Sequence, residues 1–328
     1  MNRRLGSSDV HPTGLGCMVL SHAYGVPSSP EQGARVLNTA LDLGYNHLDT
    51  ATLYGGGRNE ALIGEAIGHR RDEYFLASKC GMEIVDGKRR IDGRPETLRA
   101  QIDASLKRLR TDRIDLYYLH RWDKSVPIED SVGELARMVD LGKVLNIGLS
   151  EVSAATLRKA HAVHPIAAVQ NEYSLSSRNV ELGVLDATRE LGATLVAFSP
   201  VARGFLAGGV PSISSLPDGD IRRNMPRFQP GNFEANLALL AKLRAIAGSL
   251  DLTPAQLCLQ WLLTRGPHVV TIPGTTSLDH LAENFAAPVA SLPDTALGAL
   301  DDIFAPENIA GHRYPPATLL EIDTEDYG

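Results

Sequence analysis

Short apolar runs alternate with amphipathic stretches along most of the chain. The apolar runs predict strands, and the following stretches, with apolar residues every three to four positions, predict helices. The predicted strands span residues 14–20, 46–50, 74–79, 114–120, 143–150, 167–172, 194–199 and 268–273. The predicted helices span about 30–43, 59–69, 96–109, a stretch ending at 142, 154–162, 180–191, 235–249 and 278–286. The chain therefore contains eight strand-then-helix units. Helices in these positions provide the crossover connections that parallel strands need.

Eight units favour an α/β fold in which the strands close into a (β/α)8 TIM barrel. An open doubly wound sheet usually has fewer strands, and its GxGxxG fingerprint is absent between the first strand and helix. We therefore predict one domain over residues 1–328, with a short N-terminal segment at 1–13 and a C-terminal tail at about 305–328. Residues 203–235 are rich in Gly, Pro and Ser, and their place after strand seven predicts a long loop or lid.

Composition and charge narrow the class of protein. The chain is 43% hydrophobic with a net charge of -7, which disfavours nucleic acid, because phosphate binding needs clustered Lys and Arg. The first residues lack the apolar core typical of a signal peptide, and no apolar run is long enough to span a membrane, so neither feature is expected. Its three cysteines show no disulfide or zinc-ligand spacing, and no metal site is predicted. We expect a cytoplasmic protein whose partner is a small molecule.

Four polar residues fall at the ends of predicted strands or directly after them. Asp49 ends strand two, Tyr54 lies in the following loop, Lys79 ends strand three and His120 ends strand four. Each alone has a structural explanation, as a helix cap, a rim aromatic, a solvated charge or a satisfied polar residue. In a barrel, however, these four ends share one rim.

The four side chains suit proton donation to a carbonyl. A phenol titrates at about pH 10, and a nearby ammonium from Lys79 would lower the pKa of Tyr54 by favouring its phenolate. Asp49 could keep Lys79 protonated and oriented, and His120 could hydrogen-bond a substrate oxygen. The set lacks a nucleophile beside a base, which favours acid/base assistance to a redox step whose electrons come from a cofactor. In the turn that follows Tyr54, Asn59 is expected to be the N-cap of the next helix.

The sequence motifs resemble those of the aldo-keto reductase family over most of the chain. The similarity runs from TGLGCM to HLAENFAA and includes LDTATLYGGGRNEALIGEAI, DLYYLHRWD, GKVLNIGLSEVS, AVQNEYSL and FSPVARGFL. The resemblance implies a TIM barrel, a catalytic tetrad of Asp49, Tyr54, Lys79 and His120, and hydride transfer between a nicotinamide cofactor and a carbonyl or alcohol. It also implies a cofactor bound across the strand ends, which agrees with the missing GxGxxG.

The resemblance also implies a set of cofactor-binding residues. Ser150 and Gln170 should bind the nicotinamide carboxamide, and Phe198 should stack on the ring. Glu151 occupies a position where many relatives have Asn. The segment SPVARGFL should wrap the pyrophosphate with backbone N–H groups. The resemblance places the remaining cofactor contacts in the segments that follow strands seven and eight, at Ser199, Pro200, Val201, Gly204, Leu206, Gly274, Thr275, Thr276, Ser277, His280, Glu283 and Asn284.

The choice between cofactors depends on the segment after strand eight. Relatives that prefer NADP(H) commonly have Lys or Arg at the positions of Thr276, Ser277 or His280, none of which carries a permanent charge here. Hydroxyls and the N-terminus of the next helix can still hold a 2′-phosphate. NADP(H) is therefore favoured on the family resemblance, and NAD(H) is the second candidate.

The substrate contacts and two competing functions complete the sequence predictions. His22, Tyr24 and Trp122 form an aromatic rim that suits small carbonyl compounds or alcohols, and the C-terminal tail either closes over this face or packs on the barrel. One alternative function is a Schiff-base aldolase that uses Lys79, and another is a cofactor-bound regulatory subunit without activity.

Overall fold

The computed structural model describes residues 2–21, 23–287 and 292–327. Within them, eight parallel strands form one curved sheet. These strands, one to eight along the chain, are Leu15–Gly16, His47–Asp49, Phe75–Cys80, Leu116–Leu119, Ile147–Ser150, Ile166–Glu172, Thr194–Phe198 and Val269–Thr271. Every one of them overlaps a predicted strand.

The sheet closes into a barrel. Strands that follow one another along the chain pair in parallel, from strand one through strand eight. The last strand then meets the chain just before the first, because the Gly14 N–H donates to the Thr271 carbonyl (2.8 Å) and the Thr271 N–H to the Pro12 carbonyl (2.9 Å). The predicted (β/α)8 TIM barrel is confirmed.

Helices surround the barrel and agree closely with the amphipathic stretches. They are α1 Pro30–Leu43, α2 Arg58–Ile67, α3 Pro95–Leu109, α4 Ile128–Asp140, α5 Ala154–His161, α6 Val184–Leu191, α7 Asn232–Ser249, α8 Pro254–Leu263, α9 Leu278–Phe285, α10 Asp294–Ile303 and α11 Pro316–Leu319. The sequence did not predict α8, α10 or α11. Nearly all residues of α8 are buried, so it lacks the polar face from which an amphipathic pattern is recognised.

The N-terminal end of the barrel is closed by a hairpin that the sequence did not predict. Strands Arg3–Leu5 and Ser8–Val10 pair antiparallel. Leu5 and Val10 pack against interior side chains of the barrel, including Phe75, Tyr118 and Val196. This closure leaves the opposite end, where the strands terminate, available for chemistry.

Two segments cover that opposite end. The segment after strand seven, residues 199–231, ends before the predicted limit of 235, because α7 begins at Asn232. It is folded into short 3₁₀ turns and is packed around the rings of Phe205, Phe228 and Phe233. The C-terminal tail supplies the second cover. No helix among the described residues has both the length and the apolar character needed to cross a membrane.

Candidate active site

The four tetrad candidates converge at the C-terminal end of the barrel. Asp49 is the last residue of strand two, Lys79 lies near the end of strand three, and His120 directly follows strand four. Asp49 and Lys79 are almost completely buried, whereas Tyr54 and His120 retain 8% and 6% of their accessible surface. The tyrosine and histidine are therefore the members that a substrate can reach.

Lys79 is the centre of this cluster. Its ammonium forms an ion pair with Asp49 and donates hydrogen bonds to the Thr50 carbonyl (2.9 Å) and the Tyr54 hydroxyl (3.2 Å). Three acceptors match the three hydrogens of an ammonium group. Burial lowers the pKa of Lys79, but Asp49 and Tyr54 outweigh this effect, and the pKa lies above its ordinary value. Lys79 is thus a fixed cation.

Asp49 is held from two sides. Its Oδ2 accepts a hydrogen bond of 2.6 Å from Gln170 Nε2, while Oδ1 faces Lys79. Burial raises the pKa of Asp49, and the charge of Lys79 together with both hydrogen bonds opposes the rise. Lys79 and Gln170 therefore both stabilise the ionised form of Asp49.

Tyr54 is a protonated phenol at neutral pH. Burial raises its pKa, and Lys79 opposes this rise without reversing it. The expectation of a lowered phenol pKa is therefore wrong in its net direction, because the sequence does not reveal how completely the ring is buried. The His120 ring lies edge-on to the tyrosine ring, with centroids 5.8 Å apart. A proton donor and a second polar ring thus share one opening.

Glycines after Tyr54 make the turn that places it there. Gly55, Gly56 and Gly57 have φ angles of +60°, +64° and +88°, in the left-handed region where residues with a Cβ are strained. At Gly57 a Cβ would also lie 2.9 Å from the Arg108 side chain. The chain can therefore reverse from strand two into α2 within a few residues.

Asn59 has a different role from the predicted one. The N-cap residue of α2 is Gly57, so the assignment of Asn59 as N-cap is wrong. The fully buried Asn59 accepts a hydrogen bond from Thr50 Oγ1 (2.6 Å) and donates to the Cys17 carbonyl (2.9 Å). These hydrogen bonds connect the start of α2 to the ends of strands one and two, and so hold in place the turn that contains Tyr54.

Strands five and six bring further polar groups to the same rim. Ser150 and Gln170, the predicted carboxamide ligands, are buried at the strand ends. Arg121 reaches across from the end of strand four and donates to Ser150 Oγ (3.2 Å) and to the His120 carbonyl (2.6 Å). Arg121 was not among the predicted site residues, although it directly follows His120 in the sequence.

Glu151 is engaged by the C-terminal tail. Its carboxylate accepts hydrogen bonds from Arg313 (3.0 and 2.7 Å) and from Thr324 Oγ1 (2.9 Å). Burial raises the pKa of Glu151, but Arg313 and Arg121 hold it below the ordinary value. The predicted contact with the carboxamide remains a prediction, in competition with these partners. The tail thus crosses the catalytic end of the barrel.

A second buried carboxylate, Glu172, joins the two covering segments. Arg203, from the segment after strand seven, donates to both of its oxygens (2.7 and 2.8 Å). Arg313 lies 3.8 Å from Glu172, and the Tyr314 ring lies 5.2 Å from both guanidinium groups. Sequence reasoning missed this network because Arg313 is far from its partners along the chain, although Glu172 at a strand end was a visible signal.

The segment after strand seven turns sharply. Phe198 is half-buried at the end of strand seven, and Pro200 follows in the turn. Ser199, Ala202, Arg203 and Gly204 all have positive φ angles. The N–H groups of Ala202, Gly204 and Leu206 donate to carbonyls of this same segment, those of Gly204 and Leu206 both to Val201. Because these three N–H groups already donate within the segment, a bound pyrophosphate would need other hydrogen-bond donors.

The loop after strand eight leads into α9. A Cβ on Gly274 would lie 2.7 Å from the Gly16 carbonyl, so a glycine permits strands eight and one to approach. Ser277 is the N-cap of α9, since its side chain accepts from the His280 N–H, and Thr275 Oγ1 accepts from the Ser277 N–H. The other predicted contacts here vary in exposure: His280 is exposed, Thr276 and Glu283 are half-buried, and Asn284 is buried.

The predicted substrate contacts are only partly assembled. Tyr24 lies under the guanidinium of Arg222, 5.1 Å from it, beside the segment after strand seven. The Trp122 indole donates to the Val126 carbonyl in its own loop (2.9 Å). His22 lies outside the described residues. The aromatic rim remains a prediction.

The donor set along these strand ends fits a nicotinamide dinucleotide. Neutral hydroxyls and amides suit carboxamide, ribose and phosphate groups, and an aromatic face at Phe198 suits a planar ring. The N-terminus of α9 is favourable for an anion.

Comparisons with known proteins agree with this geometry. A family model described as the aldo/keto reductase family matches residues 12–305. An aldo-keto reductase of Schizosaccharomyces pombe whose name specifies NADP(+) is 43% identical over 327 residues, covering 98% of this chain and 96% of the relative.

Solved structures show the same similarity. A glycerol dehydrogenase from Gluconobacter oxydans superposes with a TM-score of 0.85 at 29% identity, covering 96% of this chain and 98% of its own. An aldo/keto reductase from Klebsiella pneumoniae, in complex with NADP and acetate, has a TM-score of 0.73 at 25% identity, with 96% and 98% covered. The chain belongs to the aldo/keto reductase family.

Proposed function

We propose that the protein reduces the carbonyl of a small aldehyde or ketone, or oxidises the corresponding alcohol, with Tyr54 as the general acid and base. The observation that carries this proposal is the 3.2 Å hydrogen bond between Lys79 Nζ and the Tyr54 hydroxyl, with Lys79 fixed by Asp49. A donor held in this way has the orientation that proton transfer requires.

The roles follow from the exposure and charge of each side chain. Tyr54 gives its proton to the carbonyl oxygen during reduction and takes it back during oxidation. His120, whose ring is edge-on to that of Tyr54, hydrogen-bonds the same oxygen and orients the substrate. Lys79 and Asp49 are buried and act on Tyr54 rather than on the substrate.

The cofactor proposed is NADP(H), with NAD(H) as a weaker alternative. The name of the Schizosaccharomyces pombe relative and the NADP complex of the Klebsiella pneumoniae structure support this choice. When bound, the nicotinamide supplies or accepts the hydride. Ser150, Gln170 and Phe198 would hold its ring, and Thr275 to Ser277 with α9 would hold the adenosine end.

An aldolase mechanism at Lys79 is less favourable on physical grounds. A Schiff base requires a neutral amine with a free lone pair. The ammonium of Lys79 is instead ion-paired with Asp49 and has a raised pKa.

A substrate screen tests the proposal. Aldehydes, ketones and secondary alcohols are incubated with each nicotinamide cofactor, and the absorbance of the reduced form is followed. We expect turnover with NADPH and no covalent product when borohydride is added with the substrate alone. Borohydride trapping on Lys79 would instead favour the aldolase. Tight cofactor binding without turnover over the whole panel would favour a regulatory subunit.

A further inference from the structure

A cavity of about 410 Å³ lies beside the catalytic end of the barrel. It opens between the loop after strand six and the C-terminal part of the chain, from Phe304 to Tyr327. None of the four tetrad residues lines it. Its volume is within the range of small-molecule sites, roughly 300 to 1,000 Å³. The cavity is therefore large enough for a ligand of its own.

Three arginines line this cavity, and two of them are neutralised. Arg178 forms ion pairs with Glu181 (2.7 Å) and Asp301 (3.2 Å). Arg313 is paired with Glu151 (2.7 Å). Their charges are matched by carboxylates of the protein itself.

Arg227 is different. Its guanidinium donates to Ser177 Oγ (2.6 Å) and to the Gly311 carbonyl (3.2 Å), both of which are neutral acceptors. In the part of the chain that the structure describes, no carboxylate lies within ion-pair distance of it. Burial lowers the pKa of Arg227 to about 10, which is the expected effect on a cation removed from water.

The surrounding carboxylates are already in use. Both oxygens of Glu172 accept hydrogen bonds from Arg203, and Ser177 donates a further bond to one of them. In this cluster Glu172 is paired with Arg203 and Glu151 with Arg313, so neither of these carboxylates is left to pair with Arg227. A partly buried cation of this kind is stabilised by an anionic partner.

The walls indicate what that anion would look like. The lining includes the apolar residues Leu175, Phe304, Ile309 and Leu319, of which Ile309 and Leu319 keep accessible surface, whereas Leu175 and Phe304 are buried behind it. Two carboxylates also contribute to it: Asp326 accepts a hydrogen bond from Asn179 (2.9 Å), and Glu307 is exposed. A guanidinium can bind a carboxylate through two parallel hydrogen bonds.

We propose that this cavity is a second ligand site, separate from the tetrad, which binds a small organic carboxylate with its charge on Arg227 and its apolar body against Ile309 and Leu319. A chain of hydrogen bonds connects this site to Arg203: Arg227 donates to Ser177, Ser177 donates to Glu172, and Glu172 is paired with Arg203. It does not depend on the proposed redox chemistry.

Calorimetric titration with benzoate, using the full chain saturated with NADPH, tests this proposal. We expect saturable binding of one benzoate per chain, with the neutral benzamide and the cationic benzylamine at least tenfold weaker. Arg227→Gln should reduce benzoate affinity at least tenfold, and Arg227→Lys should reduce it less. Arg158→Gln is the matched control, because it removes an exposed ion pair with Glu190 outside the cavity and should leave binding unchanged.

A second variant keeps the test decisive if Arg227→Gln does not fold. Leu319→Trp places a larger side chain in the lining and retains Arg227, so it should abolish benzoate binding without lowering the unfolding temperature below that of the control. The proposal is wrong if benzoate does not bind saturably, if benzamide or benzylamine binds as well as benzoate, or if Leu319→Trp leaves its affinity unchanged.

Discussion

The ammonium nitrogen of Lys79 lies 3.2 Å from the hydroxyl oxygen of Tyr54, and its other two acceptors, Asp49 and the Thr50 carbonyl, belong to strand two and the residue after it. Lys79, on strand three, therefore fixes the position of the Tyr54 hydroxyl, although Tyr54 itself lies in a turn that is followed by three glycines. Under the proposed function, Tyr54 is the reacting group, and Lys79 and Asp49 are the support that is buried behind it.

Replacing Tyr54 by Phe removes the acidic proton and leaves the ring packing intact. General acid assistance contributes a factor of about 10² to 10⁴, so carbonyl reduction should fall by that amount while cofactor affinity is retained. The measurement is steady-state turnover, with fluorescence titration of NADPH as the control. A loss smaller than about tenfold would mean that another group donates the proton.

Lys79→Met should move the pH profile of alcohol oxidation upward. Oxidation needs the phenolate as base, so activity rises as pH passes the Tyr54 pKa, and Lys79 is the charge that opposes the burial-induced rise of that pKa. Without Lys79 the pKa rises further, and the rising limb of the profile shifts to higher pH. An unchanged profile of residual activity would show that Lys79 does not tune the phenol.

The unfolding free energy of Lys79→Met is the control for its pH profile. Lys79→Met leaves Asp49 buried with only Gln170 as partner, and breaking a buried pair costs about 3 to 5 kcal/mol. Adding Asp49→Asn removes the stranded charge, so the double variant should recover part of the unfolding free energy and still show the shifted profile.

The barrel, and the convergence of Asp49, Tyr54, Lys79 and His120 at one end of it, could be predicted from the sequence because the signals are local. Strand-ending polar residues such as Asp49 and Lys79 are visible in the apolar pattern, and the closure of the barrel brings them together. Glu151 and Glu172 were also at strand ends, but their partner Arg313 comes from a tail whose course no local pattern predicts. Asn59 is a similar case. Its position in the sequence predicts a helix cap, and only the structure shows its buried contacts with Thr50 and Cys17.

The segment after strand seven should become resistant to trypsin when the cofactor is bound. Ile221 N–H donates to the Ala23 carbonyl and Arg222 is paired with Asp220, so cleavage after Arg222 or Arg223 requires local opening. If this segment holds the pyrophosphate, saturating NADPH should slow cleavage there several-fold. Cleavage after the exposed Lys88 should be unaffected. Equal rates at Arg222 with and without NADPH would argue against a lid.

Glu172 should make stability depend on pH in the acidic range. Burial raises its pKa, but Arg203 and Arg313 outweigh burial and lower it to about 2, against an ordinary value of 4.5. Its contribution, on the order of 3 kcal/mol, is therefore complete above the ordinary value and is lost as pH falls toward 2. Urea unfolding of Glu172→Gln should show lower stability at neutral pH and a flatter decline below about pH 5.

The matched control for Glu172 is Glu190, whose exposed pair with Arg158 is screened by solvent. Glu190→Gln should follow the acid dependence of the unaltered protein. If the curves for Glu172→Gln and the unaltered protein run parallel from neutral pH to about pH 3, the buried pair does not carry the predicted linkage.

Ser277→Arg should increase selectivity for NADP(H) over NAD(H). No permanent charge stands at Thr276, Ser277 or His280, and a charge-assisted bond to a phosphate contributes about 1.5 to 3 kcal/mol, so the ratio of the two dissociation constants should change roughly tenfold or more. Because Ser277 also caps α9, its loss costs about 1 kcal/mol of stability, whereas Thr276→Arg adds the same charge and keeps the cap. The dissociation constants of both cofactors are measured for all three proteins. If neither variant changes their ratio, the 2′-phosphate does not lie beside the N-terminus of α9, and the adenosine end of the cofactor occupies another part of the rim.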